Sequence, residues 1–144
     1  MKTNAIVAAV MLAVGVLGVM VIRMNSVTPP SSPNNERGTI QSSLTPQAFA
    51  EVLITDQDRT LVDVRTPAEY AAGHIAGASN IDFYEADFLE QFQDFDQDQP
   101  LAIYCRSGGR SGQALQALQA AGFSDVVDLS GGIMAWENAG QEVE

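Results

Sequence analysis

Three short apolar runs separated by helical signals constrain the fold more than any other feature. They are residues 60–64 (TLVDV), 101–104 (LAIY) and 126–129 (VVDL). Strands this short and this apolar have no face to spare for water, so they belong in a sheet covered on both sides. Strands alternating with helices are joined by crossovers, which makes the sheet largely parallel. The expected architecture is a three-layer α/β/α domain with a mostly parallel central sheet.

The helical signals are local and specific. Thr45 followed by Pro46 offers a capping hydroxyl and a proline at the first helical position, and Phe49, Val52 and Leu53 then share one face. Thr66-Pro67 with Glu69 is a capping box opening a second short helix through Tyr70. Residues 78–83 read as extended. Residues 85–95 place Phe88, Leu89, Phe92 and Phe95 at helical spacing. Residues 111–121 put Ala114, Leu115, Leu118 and Ala121 on one face, and Gly122 ends that helix. Gly131 and Gly132 precede a last helix carrying Met134, Ala135 and Trp136.

The first third of the chain reads differently. Residues 5–22 form an apolar run without a charge, between Lys2 and Arg23. About 20 apolar residues suffice to span a bilayer, so residues 1–24 are expected to form a single-pass membrane anchor. A cleaved signal peptide is the competing reading, but its apolar core is shorter, and no small-x-small site follows Ile22. Flanking charge is nearly balanced. The expected placement is a bacterial inner membrane with the domain on the periplasmic side. Residues 25–43, rich in Pro, Ser, Asn and Thr, read as a flexible linker. Residues 44–144 then make up the folded domain.

The chain carries 18 acidic and 7 basic residues, for a net charge of −11. All the acidic residues but Glu36 lie after residue 38, where the basic ones are Arg59, Arg65, Arg106 and Arg110 alone. Such a surface repels nucleic acid. Two of those four arginines fall within five residues of Cys105, the one cysteine of the chain. A lone cysteine excludes an intramolecular disulfide or a cysteine-cluster zinc site.

Cys105 ends a buried strand. The string CRSGGRS (105–111) then turns through two glycines into a helix. Ligands bind at the carboxyl ends of parallel strands. Free N–H groups at the start of the next helix favour an anion there. Gly108 and Gly109 let the loop curl so that N–H groups point inward. A thiol in that cradle is biased towards thiolate. An inert buried cysteine beside an ordinary turn is the plainer alternative, but it leaves the two arginines unexplained.

Three blocks in this order resemble the rhodanese-like sulfurtransferases: LVDVR (61–65) with EY (69–70) and GHIAGASNI (73–81); IYCRSGGRS (103–111); and LSGGIMAW (129–136). The resemblance covers about 100 residues. It implies that Cys105 takes a sulfane sulfur from a donor such as thiosulfate, holds it as a persulfide, and passes it to cyanide or to a thiol. A thioredoxin-like protein is one such thiol. No cofactor is implied. Residues 105–110 would form a bowl of N–H groups, with Arg106 and Arg110 holding the anionic donor and Ser107, Gly108, Gly109 and Ser111 completing it. Related phosphatases and arsenate reductases place the arginine six residues after the cysteine, whereas Arg110 stands at five. A non-catalytic docking or anion-binding module is the other alternative.

Other polar residues read as framework. His74 is expected in a structural turn rather than as a base for Cys105. Asp63, Arg65 and Glu69 are expected as an ion-pair set fixing the turn after the first strand, with Arg65 a candidate for the site mouth. Asp94, Asp96 and Asp98 read as a solvated acidic loop, since no glycine supplies a calcium-loop turn. No metal is expected.

Overall fold

A computed structural model describes residues 40–144. The proposed membrane anchor and all but the last four residues of the proposed linker lie outside the described residues. Among the described residues no helix is long and apolar enough to cross a membrane.

The sheet has five parallel strands: β1 (Ile40–Leu44), β2 (Thr60–Asp63), β3 (Ser79–Asn80), β4 (Leu101–Tyr104) and β5 (Asp125–Leu129). They lie side by side in the order β1-β5-β4-β2-β3. The helices are α1 (Pro46–Thr55), α2 (Pro67–Ala71), α3 (Gly109–Ala120) and α4 (Gly132–Asn138). Alternate residues of each strand face opposite sides. Val62, Ile103, Cys105 and Val126 therefore pack with Ala114 and Leu118 of α3 and with Phe88, Phe92 and Phe123. Leu61, Ala102, Tyr104, Val127 and Leu129 pack on the other side, against Phe49 of α1 and Ile133 and Trp136 of α4. The three layers and the parallel sheet are those expected from the sequence.

Three boundaries differ. The sheet begins at Ile40, inside the segment read as linker, and β1 pairs with β5 along its whole length. IQSSL is too polar to register as a buried strand, and it survives as one because it lies at the sheet edge. Residues 85–95 are not a helix but a series of turns around one 3₁₀ turn, Glu90–Phe92. Phe88, Phe92 and Phe95 each bond three residues back, and neighbouring rings lie 5.3–5.4 Å apart, so ring packing rather than helical hydrogen bonding orders the segment. Finally, α3 starts two residues early, at Gly109. It ends at Ala120, with Gly122 at φ +100° closing the turn.

Candidate active site

Cys105 follows the last residue of β4 at the carboxyl end of the sheet and is 1 % exposed. Its Sγ accepts a hydrogen bond from the Gly108 N–H at 3.1 Å and one from the Ser111 hydroxyl at 3.4 Å. Burial pushes the thiol pKa up. The Ser111 hydroxyl and the N–H groups of Ser111, Ser107 and Gly108 together outweigh burial, and the net shift is downward. Gly108 caps α3 at φ +94°, a left-handed conformation in which a side chain is strained, and this turn brings its N–H back over the sulfur. Of the string CRSGGRS, the N–H groups of Ser107, Gly108 and Ser111 are the ones turned to the sulfur.

The bowl is held from behind. The N–H groups of Ile133 and Met134, in the first turn of α4, bond to the carbonyls of Cys105 at 2.8 Å and Arg106 at 3.2 Å. With these carbonyls turned outward, the loop presents its N–H groups to the sulfur. The contact requires glycine at 132. Its φ is +61°, and an added Cβ would strike the Cys105 carbonyl oxygen and lie 2.5–2.6 Å from the carbonyl atoms of Arg106.

The two loop arginines differ. Arg110 is committed: both terminal nitrogens bond to the Glu69 carboxylate at 2.7 Å, and the guanidinium lies 5.6 Å from the centre of the Tyr84 ring. The resemblance implied an anionic donor as its partner; the partner present is Glu69. Arg106 is exposed, and its guanidinium has no hydrogen bond or ion pair among the described residues. Arg59 and Arg65, by contrast, pair with Asp125 and Asp63. Arg106→Ala is therefore expected to weaken the binding of a small anion at the bowl by about 3- to 10-fold, the loss of one exposed charge-assisted contact. Protection of Cys105 from iodoacetamide by increasing sulfate, compared between the two chains, checks this.

Glu69 does two jobs. It completes the capping box at α2, accepting from the Thr66 N–H and hydroxyl, and it clamps Arg110. The Arg110 hydrogen bonds, helped by Thr66 and opposed by burial, hold its carboxyl down to about 2. A depressed carboxylate stabilises the fold above its unfolded pKa, and that stabilisation is lost as the pH falls through the folded one. Glu69→Gln is therefore expected to unfold at lower urea than the unsubstituted chain near neutral pH. The gap should close on acidification from the ordinary glutamate range toward pH 2. A gap independent of pH would contradict this.

A family model described as rhodanese-like domain matches residues 45–139. The chain belongs to the rhodanese-like domain family. It is 35% identical over 115 residues to thiosulfate sulfurtransferase 16, chloroplastic, of Arabidopsis thaliana, covering 73% of this chain and 94% of that protein. It is 40% identical over 95 residues to a probable adenylyltransferase/sulfurtransferase, MoeZ, of Mycobacterium tuberculosis, covering 66% of this chain. The chain spans only 24% of that relative's length. The crystal structure of a rhodanese-related protein from Thermoplasma volcanium (TVG0868615) superimposes with a TM-score of 0.63 at 30% identity, covering 72% of this chain and 97% of that one.

Within this rhodanese-like domain Arg65 is not free to meet a ligand. It is 6 % exposed, and its guanidinium is spent on both Asp63 oxygens and the Gly73 carbonyl. Asp63 and Arg65 are framework, as read from the sequence; Glu69 leaves that set for the loop. His74 stacks on Tyr70 at 3.8 Å and its Nε2 lies 3.5 Å from Glu144, so its contacts are those of a structural residue. Sequence reasoning missed Glu69, Tyr84 and Gly132 as parts of the rhodanese-like site. Of these, only the Gly131-Gly132 pair after a strand carried a local signal.

Proposed function

We propose that this rhodanese-like domain is a sulfurtransferase that carries a sulfane sulfur on Cys105. The Cys105 thiolate attacks the outer sulfur of thiosulfate; a new S–S bond forms, the old one breaks, and sulfite leaves with the bonding pair. An acceptor then attacks the terminal sulfur of the persulfide. Cyanide leaves as thiocyanate, a thiol becomes a persulfide, and the Cys105 thiolate returns. The observation that carries this reading is the ring of donors around Sγ. It stabilises a thiolate before the reaction and can do the same for the anionic persulfide after it. Arg106 at the rim adds the charge that draws in an anionic donor. The names of the curated relatives support the same chemistry.

The test is the intact mass of the chain before and after thiosulfate, and again after cyanide. The reading requires a gain of one sulfur atom that cyanide removes as thiocyanate. A chain whose Cys105 alkylates readily but gains no sulfur from thiosulfate, or from an organic persulfide, would overturn it.

A further inference from the structure

Asp128 lies on β5, two residues beyond Val126 and therefore on the same sheet face as Cys105, with Ile103 as its partner on β4. It is 4 % exposed. Its Oδ2 accepts a hydrogen bond from the Ser43 hydroxyl of β1 at 3.1 Å. Its Oδ1 is shielded from solvent and has no hydrogen-bond partner among the described residues. No ion pair among the described residues involves it; Asp125 on the same strand pairs with Arg59, and Arg110 of α3 pairs with Glu69.

Ser111 of α3 is fully buried, and its hydroxyl donates to the Cys105 sulfur. The same hydroxyl also favours the ionised form of Asp128, as do Ser43 and the Leu129 N–H, although burial outweighs all three and the carboxyl is pushed up. A serine hydroxyl has one hydrogen to donate and two lone pairs with which to accept. It cannot donate to a thiolate and to a carboxylate at once.

We propose that Asp128 is a positioning residue for the nucleophile, acting through Ser111, whose single hydrogen is shared between the Cys105 sulfur and the Asp128 carboxylate. When Asp128 is protonated, its O–H donates to Ser111 Oγ and the serine hydrogen points at the sulfur. When Asp128 loses its proton to solvent, the serine hydrogen turns to the carboxylate and the sulfur loses a donor. The two groups thus oppose one another's ionisation. The proposal rests on Cys105 being an ionisable thiol in the bowl and not on its carrying sulfur, so its failure is distinct from failure of the sulfur-transfer reading.

The experiment is the pH profile of Cys105 alkylation by iodoacetamide on the full chain. Asp128→Asn removes the competing anion while its amide still donates to Ser111. It is expected to lower the apparent thiol pKa and speed alkylation near neutral pH by about 3- to 10-fold, the worth of one hydrogen bond. Ser43→Ala, at an exposed edge-strand position, withdraws a donor from the Asp128 carboxylate. It should shift the profile the same way by a smaller factor, and it tests the proposal even if the Asn variant does not fold. In a Ser111→Ala background neither change should move the profile. Unmoved profiles in both single variants would overturn the proposal. So would an equal shift in the Ser111→Ala background, which would make Asp128 a charge acting through space.

Discussion

Cys105→Ser is expected to gain no sulfur mass from thiosulfate and to release thiocyanate no faster than buffer, while unfolding at nearly the same urea concentration. The chain has one cysteine, so no second thiol can substitute. Donors that lower a thiol's pKa cannot ionise a serine hydroxyl, and oxygen does not form the persulfide bond. The exchange of sulfur for oxygen in a site already lined by donors costs little in packing. Loss of transfer with loss of fold would leave the role of Cys105 unproven; sulfur uptake by the serine variant would sink the mechanism.

Gly132→Ala should be nearly as damaging, though residue 132 lies outside the loop that carries the sulfur. The methyl group would be driven into the backbone of Cys105 and Arg106, and the residue would be held at φ +61°. Backbone strain alone costs about 1–2 kcal/mol for a residue with a Cβ. Relieving the collision means moving the loop, and displacing a reacting group by about 1 Å can cost about 100-fold in rate. The expected result is a loss of about 3 kcal/mol or more in urea unfolding, in the range of a strained, overpacked site, together with that loss of rate. Gly140→Ala is the control. It has the same left-handed backbone, at φ +79°, but open space around the added Cβ. It should show the strain cost and keep its rate. If Gly132→Ala behaved like Gly140→Ala, α4 would not be what shapes the bowl.

What the sequence disclosed was what is local. The Thr66–Glu69 box, the cap at Thr45 and the strand–cysteine–glycine turn each fall within a few residues, and each folds as its chemistry dictates. What it withheld depends on distance or on the sheet edge. Glu69 and Arg110 are 41 residues apart, so the string that marks a capping box gives no hint of the clamp. The Asp63–Arg65 pair, two residues apart, was legible, but the Gly73 carbonyl that takes the same guanidinium and helps bury it lies eight residues on and was not. β1 has too few apolar residues to announce a strand and exists because β5 offers it a partner. Phe88, Phe92 and Phe95 have helical spacing, but aromatic residues are weak helix formers, and ring contacts decided the outcome.

The parallel order of the strands also fixes how the site is presented. Ile40 pairs with Asp125 at the amino-terminal end of β5, whereas Cys105 lies beyond Ile103, which pairs with Asp128 near the other end. The chain thus enters the sheet on one side of the domain and the sulfur opens on the opposite side, about 16 Å away along a five-residue strand. Immobilising the domain by the Ile40 end of its sheet, on a bead or a sensor chip, should leave the mouth of the bowl facing the solution and within reach of a partner as large as another protein.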